Sequence, residues 1–307
     1  MPSQVKNLLM VSDAEKKAIF KHYNMSERDF EEIVEIVREW YLKTRLPKED
    51  TINEKIKVAL FNCKMEIEKT KRCLEGYYRV RTIHTDIFDR LVPNTTSYAL
   101  AKSLSKIAVM PKLTPDLCRI TIFRVDNPHE SAPDGLIYEV LPLMSVEYRL
   151  FSGDYFYSNI LIIDLTDFGL KNLMKYTPHV CNTLINCMIG VCIRFKNIHF
   201  VNLPHIFDKV IGLLKYFLPS EFHDKVRTHQ NIESLHEYIP KEYLPSNYGG
   251  TQCSLEEIQD NWCKTFESKE EEFKKLLTAK CPDFLEDKIR QKENFGIEGS
   301  FRKLTVD

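Results

Sequence analysis

The 307-residue chain carries 43 Lys+Arg against 44 Asp+Glu, a formal net charge of -1. That balance excludes a protein that coats nucleic acid through bulk charge, and leaves room only for a local basic patch. Hydrophobic residues at 43% and charged residues at 28% exclude a disordered chain, and a chain this long can bury a full core without disulfides or metals. The 9 cysteines are scattered, with no C-x-x-C pair among them, and read as reduced, mostly buried thiols. The N-terminal sequence has no apolar core for a signal peptide; its longest apolar stretch is 8–11. No run approaches the ~18 apolar residues of a membrane helix. A cytoplasmic protein is expected.

The first third reads as helices. Ser12 with Glu15 is a capping box that opens one helix, and Ser26 with Asp29 opens a second. In the second, Phe30, Ile33, Val34, Val37 and Tyr41 recur at helical spacing, and Pro47 with its polar surroundings ends the pattern. A further helical pattern runs over 53–81, with Leu60, Phe61, Ile67, Leu74, Tyr77 and Tyr78 as apolar anchors. Together these predict a small antiparallel bundle reaching to about 93.

The character then changes. CRITIFRV at 118–125 is a strand by its β-branched and aromatic content. A helix follows at 136–151, despite Pro142. The continuous apolar run 160–163, ending in Asp164, fits a central strand buried on both faces. A helix at 178–191, a strand at 198–201, a helix at 205–217 and a short strand at 225–229 follow. This alternation predicts an α/β fold with a mostly parallel sheet and right-handed crossovers. A long charged amphipathic helix, capped by Ser254 and Glu257, spans 254–280, and the glycine-containing end reads as an extended tail.

Three groups of residues invite a functional reading. In the 205–217 helix, Ile206, Phe207, Val210, Ile211, Leu213, Leu214 and Phe217 form one broad apolar face, opposite Asp208, Lys209 and Lys215. Periodicity fits either a helix buried against the sheet or a movable lid. Arg194 and Lys196 flank Phe195, and Lys225 and Arg227 alternate likewise, so each pair is expected on one face of its strand. If the two strands meet, four cations surround one anion, for which phosphate is suited; the plainer alternative is four solvated surface residues. Catalysis finds little support. There is no G-x-S-x-G elbow, Walker loop, G-x-G-x-x-G or H-E-x-x-H, and a Cys192–His199 dyad rests on chance proximity, His199 fitting a structural histidine better. Asp164 ends a strand, where functional carboxylates often lie, but a capping role suits it equally. The expectation is a protein without enzymatic activity, cofactor or metal.

The stretch 193–250, IRFKNIHFVNLPHIFDKVIGLLKYFLPSEFHDKVRTHQNIESLHEYIPKEYLPSNYGG, then resembles the second half of the CRAL-TRIO lipid-binding family. It lies closest to the branch of the alpha-tocopherol transfer and retinaldehyde-binding proteins. The matching marks are I-H-F-V-N-x-P (198–204), the apolar helix after it, and L-P-x-x-Y-G-G (244–250). LFNCK (60–64) with CLEGYYRVR, the helix around Trp262, and G-S-F-R-K-L (299–304), like the tail of arthropod members, extend the resemblance over about 50–304. It implies a helical domain over 1–93, a lipid-binding α/β domain with a mobile gate helix over 94–252, and a C-terminal helix and tail over 253–307 packed on that domain. A hydrophobic cavity lined by Ile160, Ile162, Thr183, Cys187, Ile193 and Ile198, and closed by Phe207, Val210, Ile211 and Leu214, would hold a tocopherol, retinoid, carotenoid or similar lipid. Ser145, Tyr148 or Thr183 would offer its polar contact. Lys64, Arg194, Lys196, Lys225 and Arg227 would meet phosphatidylinositol bisphosphate at a membrane surface. The sequence departs from the family at Asn62 and Glu221, where basic residues are usual, at Asn247, and at Thr166–Asp167. The implied function is transfer of a small lipid by a monomer that docks peripherally on anionic membranes, with a lipid-gated sensor as the alternative.

Overall fold

The computed structural model describes residues 8–126, 132–191, 193–203 and 220–284, the side chains of Ser220 and Glu221 excepted. Helices come first: α1 (Asp13–His22), α2 (Glu27–Lys43), α3 (Ile52–Asn62) and α4 (Ile67–Ile83). Ser12 and Ser26 each accept from the N3 amide while Glu15 and Asp29 answer, so both capping boxes form. In α2 the buried residues are Phe30, Val34, Val37 and Tyr41, one stripe at helical spacing. The helical pattern over 53–81 divides in two because Lys64 and Met65 take φ of 55° and 63°. Two successive left-handed residues cannot continue a right-handed helix.

After short α5 (Thr85–Phe88), α6 (Thr96–Leu104) runs without a turn into β1 (Ser105–Val109), a strand that hydrophobic patterning did not announce. β2 (Cys118–Val125) follows, then a 3-10 turn (Gly135–Glu139) and α7 (Val140–Ser152). Pro142 is harmless there, since it stands in the first turn of α7, where amides have no helical acceptor. Next come β3 (Ser158–Asp164), short α8 (Leu170–Leu173), α9 (Pro178–Gly190) and β4 (Phe195–Val201). A 3-10 turn (Ser220–Lys225) leads into β5 (Val226–Thr228). The predicted C-terminal helix forms as two, α10 (Leu255–Ser268) and α11 (Glu270–Leu276), broken at Lys269 with φ of -112° and ψ of 21°. The predicted helix at 205–217 and the tail lie outside the described residues.

The five strands lie in the order β1-β2-β3-β4-β5, β1 antiparallel to β2 and the rest parallel. This is the mixed α/β fold that the alternation predicted. Two side chains of α10 protect the outer edge of β1: Gln259 Oε1 accepts from the Ile107 amide at 3.0 Å, and the Trp262 indole donates to the Val109 carbonyl at 3.0 Å.

Register assigns each residue to a face. One row crosses the sheet as Ala108, Ile122, Ile162, His199 and Arg227. On the opposite face run Val109, Thr121, Leu161, Ile198 and Val226, and beside them Ile107, Phe123, Ile163, Phe200 and Thr228. The first face is sealed. Its Ile120, Ile122, Ile160 and Ile162 share a buried cluster with Leu235, Ile239, Leu244 and Tyr248 from the segment after β5.

Buried charge ties the helices to the sheet region. Arg81 of α4 pairs with Glu147 of α7, both 2% exposed, and donates to the Leu276 carbonyl at 2.6 Å. Tyr77 donates to the other Glu147 oxygen at 2.8 Å and receives from Lys55 at 3.1 Å, which also pairs with Glu49. Close helix contact adds to this. Gly76 of α4 faces Gly190 of α9, where a Cβ would come 2.9 Å from the Gly76 carbonyl oxygen and 2.6 Å from Val80.

Candidate functional site

Two neighbouring features distinguish the second face of the sheet and its lower corner. The first is apolar. β3 is the middle strand, yet its Leu161 and Ile163 are only partly buried. Around them Phe195, Ile198, Phe200, Leu203, Phe222 and Val226 form one cluster, with Met188 of α9, Leu173 of α8 and Ile193 packed against it. A β-bulge shapes this floor. Asn159 pairs with Phe195 while Ile160 pairs with Asn197, so Lys196 is an extra residue in β4. The bulge lets Phe195 and Ile198 face the same way, although strict alternation would oppose them. Leu170 and Met174, 56% and 72% exposed, and Ile189, 52% exposed, leave apolar side chains on the outer surfaces of the adjoining helices.

The expected lining residues divide accordingly. Ile198 belongs to the cluster around Leu161, with Ile193 packed against it. Ile160 and Ile162 point to the sealed face. Thr183 and Cys187 lie with Val180 and Gly190 on the buried stripe of α9 that meets α4. Burial pushes the Cys187 thiol up to about 12, and the Thr183 hydroxyl has no partner among the described residues. Ser145 spends its hydroxyl on the Pro142 carbonyl at 2.6 Å, and the Tyr148 ring lies edge-on to Trp262. Phe207, Val210, Ile211 and Leu214 fall outside the described residues. The resemblance implies Ile160 and Ile162 as lining, not Leu161, Ile163, Phe200 or Phe222.

The second feature is a basic corner. The Arg194 guanidinium lies 4.8 Å from the centre of the Tyr157 ring, and its Nη2 donates to the Tyr23 hydroxyl at 2.9 Å. Its backbone is clamped: the amide donates to Asn62 Oδ1 at 3.2 Å, and the carbonyl accepts from the Asn159 amide at 3.1 Å and from Asn159 Nδ2 at 2.9 Å. Asn62 is thus a buried clamp where a basic residue was usual. Asn159 in turn accepts from Arg149 at 2.7 Å, and Arg149 shares Asp154 with Arg119. Among the described residues no carboxylate pairs with Arg194, and its Nε is buried without a partner.

The other cations are dispersed. Lys196, the extra residue of the bulge, is exposed and pairs with Asp116 at 2.5 Å, a carboxylate that Arg194 does not share. Lys225 belongs to the 3-10 turn before β5 and lies 5.1 Å from the Phe222 ring centre, beside the apolar cluster. Arg227 lies across from His199 on the sealed face and donates to the Asp224 and Val226 carbonyls at 2.7 and 3.1 Å. Lys64 is exposed after α3, two residues from the Asn62 clamp. β4 and β5 do meet, but the four strand cations do not converge on one point.

The remaining candidates are structural. Asp164 accepts from the Thr166 amide at 3.0 Å, the Thr166 hydroxyl at 2.6 Å, Asn202 at 2.9 Å and the Tyr248 hydroxyl at 2.6 Å. The Asn of I-H-F-V-N and the Tyr of Y-G-G therefore converge on one carboxylate. Gly249 has φ of +68°, and a Cβ on Gly250 would come 2.0 Å from the Leu244 carbonyl oxygen, which is why two glycines follow that Tyr. Asn247 accepts from the Leu255 amide at 2.9 Å, tying this loop to the start of α10. His199 is fully buried and bonds His229 at 2.8 Å, with Tyr238 against both rings. Burial first, then His229 and Arg227, lower its pKa to about 4. Cys192 lies outside the described residues. Among the described residues there is no cluster of His, Cys, Asp and Glu able to hold a metal ion, and no helix long and apolar enough to cross a membrane.

The architecture is thus a helical segment joined to a mixed sheet, with one face sealed and the other an apolar floor beside a guanidinium that no carboxylate among the described residues pairs with. Residues 107–250 match the family model described as the CRAL/TRIO domain. The chain is 24% identical over 230 residues to the human (Homo sapiens) alpha-tocopherol transfer protein-like protein, a match covering 71% of this chain and 64% of that protein. It therefore spans less than two thirds of that relative's length. Clavesin-1 of Rattus norvegicus is 37% identical over 94 residues, 30% of this chain and 27% of that protein. The solved structure of Sfh5 aligns with 85% of this chain and 99% of its own at 13% identity and a TM-score of 0.48.

Proposed function

We propose that the protein binds one small hydrophobic lipid on the Leu161 face and carries it between membranes, without acting on it chemically. The observation that carries this is the partial exposure of Leu161 and Ile163 in the middle strand, where a sheet packed between helices ordinarily buries both faces. An apolar molecule laid there completes the burial, at about 0.8 kcal/mol per CH₂ removed from water. A relative named for alpha-tocopherol transfer supports a ligand of the tocopherol, retinoid or carotenoid kind. The lining in this reading is Leu161, Ile163, Met188, Ile193, Ile198 and Phe200, with Phe207, Val210, Ile211 and Leu214 as the sequence-based gate.

The docking half of the reading rests on Arg194. A half-buried guanidinium that no carboxylate among the described residues pairs with favours an anion, and a phosphoinositide headgroup provides one. Lys64 and Lys225 would add attraction near an anionic surface of about 1 kcal/mol each, while Lys196 and Arg227 contribute less because each already has partners. The reading includes a helical part over 1–93, the lipid-binding part over 94–252 and the packing segment over 253–307. It describes a cytosolic monomer that visits membranes peripherally.

Organic extraction of the purified chain followed by mass spectrometry tests the binding step. One hydrophobic species at a stoichiometry near one is the expected result. An empty extract, with no protection of fluorescent tocopherol, retinoid or phospholipid probes, overturns it. Tight binding without transfer between vesicles would replace the carrier with a lipid-gated sensor.

A further inference from the structure

Arg194 reaches its position with the help of a residue far away in sequence. Tyr23 caps the C-terminus of α1, and its hydroxyl oxygen accepts from Arg194 Nη2 at 2.9 Å. The Tyr157 ring packs 5.6 Å from the Tyr23 ring and 4.8 Å from the guanidinium carbon, so the guanidinium is held by an aromatic face and by a hydroxyl. That hydroxyl uses its lone pair on Arg194. Its own proton has no acceptor among the described residues, and Tyr23 is half-buried. The Nη1 side of the fork is likewise without a carboxylate, and Nε is buried and unpartnered.

We propose that Tyr23 is a binding and positioning residue of the anion site: it fixes the Arg194 fork and donates its free hydroxyl proton to the same phosphate monoester of a lipid headgroup. This rests on the reading of Arg194 as the docking cation. Acceptance from a cation polarises the O–H bond and strengthens it as a donor, and a charged partner makes such hydrogen bonds stronger than neutral ones. Two donors on one oxygen set a direction that a lone lysine does not. The helix α1 thereby becomes part of a site that otherwise belongs to β4.

The test titrates the full chain with phosphatidylcholine vesicles containing phosphatidylinositol bisphosphate. It compares wild type, Tyr23→Phe, Arg194→Ala and the double variant. Tyr23→Phe keeps the ring on Tyr157 and is expected to weaken vesicle binding about tenfold, the loss of one hydrogen bond to a charged group, with the thermal midpoint unchanged. Arg194→Ala weakens it more, and Tyr23→Phe costs clearly less in that background, because the hydroxyl is then neither polarised by the fork nor aligned with it. An equal loss from Tyr23→Phe in both backgrounds would show that Tyr23 acts independently of Arg194 and overturn the proposal. So would wild-type binding by Tyr23→Phe while Arg194→Ala fails, which leaves the docking reading standing. Wild-type binding by Arg194→Ala removes the docking reading itself. Inorganic phosphate that displaces the Tyr23-dependent binding at micromolar concentration would assign the site to free phosphate and overturn the headgroup.

Discussion

Asp164 shows how a single residue organises the sequence motifs around it. Its two oxygens take four donors, from Thr166, Asn202 and Tyr248, and the Tyr248 hydroxyl is buried with a pKa pushed up by burial and by that carboxylate. Tyr248→Phe removes one donor and is expected to cost about 1.5–3 kcal/mol, the range for a hydrogen bond to a charged group; urea unfolding followed by tryptophan fluorescence checks it. The histidine pair makes a second residue-scale prediction. Ser234 donates to the Asn231 carbonyl at 3.0 Å and so accepts from His229 Nδ1 at 3.0 Å. His229 Nε2 then accepts from His199 Nδ1, which leaves His199 Nε2 a bare lone pair, buried and without a partner among the described residues. Protonation there is penalised: the His199 pKa is about 4, against an ordinary 6.5, and that of His229 is lowered in the same direction. Between these values the unfolded chain binds more protons than the folded one. Stability is therefore complete above pH 6.5 and falls as pH drops toward 4, by up to about 3 kcal/mol. Thermal midpoints across that range are expected to fall steeply in the wild type and less so in His199→Gln.

At the scale of elements, helix contacts and strand register decide what the local sequence left open. The α4–α9 crossing depends on Gly76 and Gly190. Gly190→Ala brings a methyl within 2.6 Å of Val80 and 2.9 Å of the Gly76 oxygen, so the helices must separate. A loss of about 1–3 kcal/mol is expected, measurable as a lower denaturant midpoint with an unchanged slope. The helices, the parallel strands and the caps were legible because each carries a local signal, such as Ser26 with Asp29 or the stripe from Phe30 to Tyr41. β1 was not, because it follows α6 directly and its five residues bring no turn of their own. The bulge at Lys196 was not legible either. It exists only as a mismatch between β3 and β4, and it makes Lys196 an extra residue outside the alternation on which the cation pairing was expected.

For the whole molecule, the decisive question is which side of the sheet receives the ligand. The run Ile160–Leu161–Ile162–Ile163 is apolar at every position, so period-two alternation carries no information about its faces. Only the pairing with β4, and the Tyr248 and Tyr238 segment laid over the His199 side, distinguish them. The family resemblance pointed to this strand without choosing a side, and the choice of Ile160 and Ile162 named the sealed one. Substitutions on the two faces should therefore separate stability from binding. Ile162→Ala opens a cavity in a fully buried cluster and is expected to cost about 2–5 kcal/mol, while the remaining folded protein takes up a fluorescent lipid probe as well as the wild type. Ile163→Gln places a polar group on a partly exposed floor, with a small effect on the unfolding midpoint, but it leaves that group facing an apolar ligand without a hydrogen-bond partner. Probe affinity should fall about tenfold or more, by the cost of an unmet polar group. Measured side by side, unfolding and probe binding should respond to opposite members of this pair. If Ile162→Ala loses the probe while Ile163→Gln keeps it, the lipid lies under the Tyr248 segment instead, and the Leu161 face serves something else.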